Sequence, residues 1–327
     1  MVALNVSSFQ VEFQNNMFII KYKWIFLTIS AVLVFGSIFL VITKGIKRGI
    51  DFTGGTDVVI TYNGYTATAD GKIDLDFIKN NIVDNGFRLK NISLKNMNED
   101  GSANVEIKLT GDLPGEKRAA FENAWSFNHD ERYAAKQISE TVIGPSIGKE
   151  LEQKAIFSIL IVTLVIMLFV AFSFRHVSKP VSSWKYGLLT IATLVHDVAI
   201  PTGLYAVLGE THGAEVDSLF FFFFLTIMGI SISDTIVVFD RIRENLRNRK
   251  SNERFDEVVG KSLSETLFRS FVTSISVVIV LVALFYFGPA ATHDFSLTLI
   301  VGMLVGTYSS IFVASPLLVL VEKYQKK

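Results

Sequence analysis

The chain has 327 residues, 50% hydrophobic and 19% charged, and its 31 basic and 31 acidic side chains cancel to a formal net charge of zero. Several apolar runs of about 20 residues exclude an ordinary soluble protein of this length. A balanced charge lends no support to a nucleic-acid partner, and with no cysteine there are no disulfides, thiol nucleophiles or thiolate metal ligands.

Residues 1–23 read as a polar cytoplasmic arm that closes on the basic Lys21-Tyr22-Lys23. A first span follows over 24–42. It is long enough to stay as an anchor, and no small-residue cleavage site follows it. Residues 43–153 are the only stretch able to form a separate soluble unit. Within it, Asp57–Tyr62 reads as a strand and Gly71–Gly86 as a helix, with Asp74 as N-cap and Gly86 as stop. Phe87–Leu94 and Asn104–Gly111 alternate at strand period around a polar turn, which predicts a hairpin. Leu113–Gly144 reads as a helix broken around His129. The order β-α-β-β-α predicts helices on one face of a sheet.

Five more spans are expected over 155–174, 186–208, 218–239, 267–287 and 295–321, with a short tail over 322–327. The expected fold is a membrane all-α bundle of six transmembrane helices, with a small extracytoplasmic α+β domain between helices 1 and 2. Charge sets the orientation. Lys21–Lys23, Arg175–Lys185, Arg241–Lys250 and the C-terminal tail are basic, whereas Gly209–Asp217 and Gly288–Asp294 are short and acidic or neutral. The positive-inside rule places both termini in the cytoplasm and the domain over 43–153 outside.

Polar residues inside the spans are the functional candidates, because a charge in hydrocarbon costs at least a few kcal/mol. Thr190, Thr193 and Asp197 recur on the third span before Pro201, and His196 beside Asp197 is left between packing and a role of its own. Asp234 lies in the fourth span near Ser231, Ser233 and Gly229. Arg269, Thr273 and Ser276 share a face of the fifth. At about 1.5 Å rise per residue, Asp234 lies roughly 8 Å from the cytoplasmic mouth of its span. Arg269 enters by the same mouth, so the two are expected to pair and to separate when an ion neutralises Asp234. Asp197, deeper in its span, reads as the other station of a proton pathway. The bland readings stay open: a structural ion pair for Asp234, snorkelling for Arg269, helix–helix contact for Asp197. Gly302 and Gly306 with Ser310 make a small-residue face suited to close packing.

The five histidines are scattered and no metal-ligand spacing is present. Asp51-Phe52-Thr53-Gly54-Gly55 lacks the spacing and the lysine of a phosphate loop. The paired glycines instead suit a tight turn where the first span joins the domain. Neither an enzyme nor a cofactor or metal site is expected.

The segments RGIDFTGGT (Arg48–Thr56), IGPSIGKEL (Ile143–Leu151), His196-Asp197, SDTIVVFDRIREN (Ser233–Asn245) and SLSETLFRSFVTS (Ser262–Ser274) closely resemble the SecF-type members of the bacterial SecD/SecF protein-export family. The resemblance covers nearly the whole chain. It implies a member of the resistance-nodulation-division superfamily in the cytoplasmic membrane. Such a protein pairs with SecD and assists export of preproteins through SecYEG, coupled to protons or, in some species, sodium. SecA is then an indirect partner and YajC a further candidate. The family's essential acidic residue falls on Asp234, its fifth-span arginine on Arg269, and its first-span exit motif on Asp51–Gly55, read as a joint between membrane and domain. Ser233 stands where the family usually has asparagine. The rival readings are a scaffold or insertase subunit without energy coupling and a small-molecule efflux transporter of the same superfamily.

Overall fold

Hydropathy and length set the architecture. The computed structural model describes residues 17–63, 73–97, 102–111, 113–127, 135–175, 181–289 and 292–325. Six of its helices are long and apolar enough to cross a membrane. After a short helix α1 (Met17–Lys21), the first is α2 (Lys23–Lys44). A one-turn helix α3 (Ile50–Thr53) leads into an α+β unit outside the bundle. That unit holds β1 (Gly55–Tyr62), α4 (Leu75–Asp84), β2 (Leu89–Met97), β3 (Ala103–Leu109), α5 (Gly115–Trp125) and β4 (Ala135–Ile143). The chain then returns through α6 (Pro145–Ser173), α7 (Ser183–Thr211), α8 (Ser218–Arg247) and α9 (Phe255–Phe287). The sixth is α10 (His293–Ser309), continued through a π turn (Ser310–Ala314) into α11 (Ser315–Gln325).

The bundle is centred on α7 and the sixth helix, which are largely enclosed, while α2 and α6 leave most of their apolar surface outside. Small residues allow the close approaches. A Cβ at Gly203 would strike Ser37 of α2, and one at Gly302 would strike Ile227 of α8. The π turn directly precedes Ser315-Pro316. Proline has no amide and its ring crowds the carbonyl four residues back, so the helix widens there instead of breaking.

In the α+β unit the strands run in the order β2-β3-β1-β4, every pairing antiparallel. One face packs Val58, Ile60, Val105 and Ile107 against Ile78, Ile82, Phe121 and Trp125. Asp74 caps α4 by accepting from the Phe77 amide at 2.9 Å. Two expectations are corrected here. Residues 135–143, read as the end of a helix, form β4 and pair with β1, which would otherwise have an open edge. The second concerns residues 145–153, assigned to the soluble domain. They are the first turns of α6, which starts with Pro145 in a position where a missing amide costs nothing. His129 and most of the N-terminal arm lie outside the described residues, as does the middle of the 175–185 connection.

Candidate functional site

Asp197 and Asp234 sit within the bundle, each held by hydroxyls from neighbouring helices. Asp197 on α7 is fully buried. Its Oδ1 lies 2.8 Å from His196 Nδ1, and its Oδ2 accepts from Ser231 Oγ of α8 and, at 2.6 Å, from Ser309 Oγ of α10. His196 therefore touches Asp197, although neighbours on a helix diverge by about 100°. Its Nε2 is buried without a hydrogen-bond partner among the described residues, and its ring stacks on Tyr308 at 6.3 Å.

Asp234 on α8 is half-buried. Its Oδ1 accepts from Ser270 Oγ of α9 at 2.6 Å, and its Oδ2 from Ser310 Oγ of the π turn at 2.6 Å. A cavity of about 10 Å³ borders Ser231, Asp234, Ser274, Gly306 and Thr307. That is room for about one water-sized particle.

The expected Asp234–Arg269 pair is not formed: among the described residues Asp234 has no ion pair, and Arg269 is exposed. The reason is azimuth. Ser270 points inward to Asp234, so the preceding residue is turned about 100° away, and Thr273 and Ser276 share its outward face. Both hydroxyls bond only to their own helix, Thr273 to the Arg269 carbonyl at 2.9 Å and Ser276 to that of Val272 at 2.7 Å. Ser233 is likewise exposed, while Ser231 serves Asp197 from the helix that carries Asp234.

The glycine joint ties the α+β unit to the bundle. Asp51 Oδ2 accepts from the Ser218 amide at 2.8 Å and from Ser218 Oγ, at the first residue of α8. Gly49 and Val216 add a backbone bond of 2.7 Å, and Val216 donates to the Lys47 carbonyl at 2.8 Å. Thr53 Oγ1 donates to the Gly49 carbonyl and accepts from Lys90 Nζ of β2 at 3.0 Å. Gly54 and Gly55 both have positive φ, 73° and 148°. A Cβ at Gly54 would lie 2.8 Å from Pro145, and one at Gly148 would lie 2.9 Å from the Phe52 carbonyl oxygen, so this joint is wedged against α6. Lys108 of β3 adds an ion pair to Glu215 at 3.4 Å.

At the opposite end of α8, Arg241 Nε and Asn245 Nδ2 both donate to Glu265 of α9, at 2.6 and 2.7 Å. Sequence reasoning missed Ser218, Ser270 and Ser309, and assigned Ser310 to packing alone. The adjacent hydroxyls 309–310 within an apolar span were the one local signal available.

A sheet-bearing unit joined by a glycine turn to six spanning-length helices, with carboxylates among them, defines a multi-pass membrane protein with ionisable groups in its bundle. Residues 125–324 match the family described as protein export membrane protein SecD/SecF, C-terminal, and residues 39–63 match the SecD/SecF GG motif. The chain is 34% identical to the protein translocase subunit SecF of Thermobaculum terrenum over 92% of each chain. It is also 34% identical to that of Haemophilus influenzae, over 88% of this chain and 80% of the relative. The crystal structure of SecDF from Thermus thermophilus superposes with a TM-score of 0.77 at 30% identity, covering 94% of this chain. The present chain spans 38% of that longer polypeptide. The chain belongs to the SecD/SecF family and is a protein translocase subunit on its SecF side.

Proposed function

We propose that the chain works with SecD as an ion-driven accessory of the Sec translocase, drawing on the proton or sodium motive force to promote preprotein export through SecYEG. The observation that carries this reading is the setting of Asp234: a half-buried carboxylate in a spanning helix, held by two serine hydroxyls, with no cation paired to it among the described residues. A structural ion pair would resist neutralisation, because loss of one partner strands the other charge. Two neutral donors impose no such penalty, so Asp234 can take up and release a monovalent ion.

The outward faces of α8 and α9 support a SecD-like partner. Thr226, Gly229 and Ser233 on one helix, with Arg269, Thr273 and Ser276 on the other, are exposed in a chain whose other outward faces are mostly apolar. Small residues favour close helix packing in a bilayer, and Arg269 needs an anion or water there. In this reading both termini and the Arg241–Glu265 end face the cytoplasm of the bacterial inner membrane, and the α+β unit faces out. SecA acts only through SecYEG, and YajC is an additional partner. A single charge crossing 100 mV supplies about 2.3 kcal/mol, so a large stroke needs several ions per cycle.

The test is preprotein export into vesicles containing the full complex, with and without an ion gradient, for the wild type and Asp234→Asn. The gradient should accelerate export only in the wild type. Equal, gradient-independent rates in both would overturn the proposal and favour a scaffold.

A further inference from the structure

Ser309 and Ser310 are consecutive, yet each reaches a different carboxylate. Ser309 Oγ lies 2.6 Å from Asp197 Oδ2 and 3.0 Å from the Gly306 carbonyl oxygen. Ser310 Oγ lies 2.6 Å from Asp234 Oδ2 and 3.0 Å from the Thr307 carbonyl oxygen. Each hydroxyl thus has two acceptors in reach and one hydrogen to give. The π turn begins between them, so the adjacent side chains serve α7 on one side and α8 on the other. Moreover, the Gly306 carbonyl accepts both from Ser309 Oγ and from the Ser310 amide.

We propose that Ser309 and Ser310 are positioning residues that couple the loading of Asp197 to that of Asp234. This rests on the ion-handling role proposed for Asp234. An ionised carboxylate is the stronger acceptor and holds the serine hydrogen. When the carboxylate takes up a proton from outside, the new carboxyl O–H donates to the serine oxygen, and the serine hydrogen rotates to the carbonyl three residues back. No serine bond forms or breaks. The added donation to Gly306 weakens that carbonyl's hold on the Ser310 amide and shifts the hydroxyl that serves Asp234. Loading Asp197 therefore alters the donor available to Asp234, and the reverse effect follows by linkage with the same coupling free energy.

The groups facing the pair allow this coupling to be read cleanly. From α7 comes His196, in contact with Asp197; from α10 comes Tyr308, stacked on His196. The α2 helix contributes the neutral Ser30, α8 Ser231 and α9 Ser270, while Arg269 points outward. His196 and Tyr308 are left unchanged in every variant tested.

The experiment follows the carboxyl C=O bands by infrared spectroscopy during pH titration of the reconstituted full complex, with bands assigned by their loss in Asp197→Asn and Asp234→Asn. Removing a donor to the charged form raises a carboxyl pKa. Ser310→Ala should therefore displace the Asp234 midpoint and move the Asp197 midpoint with it. Ser309→Ala should do the converse. Ser310→Thr keeps the hydroxyl and should restore both midpoints. Movement of only the directly bonded carboxylate, or a threonine variant that behaves like alanine, would overturn the coupling. Should Asp234→Asn keep its gradient response in the export assay while both midpoints still move together, the export role fails and the coupling stands.

Discussion

Asp51 and Ser218 lie 167 positions apart, and the carboxylate of the first accepts hydrogen bonds from both the amide and the hydroxyl of the second. The glycine joint thereby caps the helix that carries Asp234. Asp217 caps the same helix through the Phe220 amide at 3.0 Å, so the first turn of α8 is held by one carboxylate from its own chain segment and one from the joint. A displacement of the α+β unit must either carry the top of α8 with it or break these bonds.

Asp51→Ala should loosen that first turn. Loss of an N-terminal acceptor costs about 0.5–2 kcal/mol, which corresponds to roughly 2- to 30-fold in local opening. Hydrogen exchange of the amides at 218–221 should accelerate accordingly, whereas Asp51→Asn, which retains an acceptor oxygen, should change them less. Unaltered exchange in the alanine variant would show that Asp51 does not act as this cap.

Gly148→Ala should pry the joint from α6. The added methyl would meet the Gly54 nitrogen at 2.8 Å and the Phe52 carbonyl oxygen at 2.9 Å, both backbone atoms that cannot swing aside. Overpacking of this kind costs about 1–3 kcal/mol. Cross-linking between cysteines introduced at Phe52 and Ile147 should fall in the variant; an undiminished yield would mean that the contact yields without cost.

How legible was this arrangement? The six-helix bundle could be read because hydropathy and length are properties of a linear segment. Asp234 and Asp197 could be singled out because a charge in hydrocarbon is costly wherever it points. Depth along a helix follows from residue count, but azimuth does not, and that is why sequence pairs Asp234 with Arg269 when its partner on α9 is the next residue, Ser270. The serines at 218, 309 and 310 gain meaning only from helices far away in the chain. The strand β4 escaped for a different reason: it is an edge strand with most of its side chains exposed, so it lacks the alternation that betrays a half-buried strand.

Asp57 on β1 gives the sheet a pH dependence. It stands opposite Lys108, its Oδ1 is buried without a hydrogen bond among the described residues, and burial, followed by the neighbouring Glu106, pushes its carboxyl up to about 6 from 3.8. The folded unit therefore holds this proton more tightly than the unfolded chain does. The resulting stabilisation is complete below pH 3.8 and is lost as pH rises through about 6. Protection of β1 and β3 amides, measured relative to Asp57→Asn to cancel intrinsic exchange, should decline across that window. A constant ratio between the two proteins would contradict the assignment.

Arg241 and Glu265 join α8 to α9 at the end remote from the joint, and Asn245 shares the same carboxylate oxygen. An isolated exposed pair contributes about 0–1 kcal/mol. Here the amide of Asn245, itself bonded to Ser262 at 2.9 Å, holds Glu265 in place and lowers the entropy lost in pairing. A double-mutant cycle of Arg241→Met and Glu265→Gln should give a coupling of about 0.5–1 kcal/mol. Asn245→Ala should reduce it by freeing the carboxylate, and salt near 1 M, where the Debye length falls to about 3 Å, should reduce it further. If the coupling ignores both, the interaction is not the electrostatic clamp that the geometry describes. The family motif would then hold the two helices together by packing through Val238, Phe239 and Ile242, which are buried on the same helix.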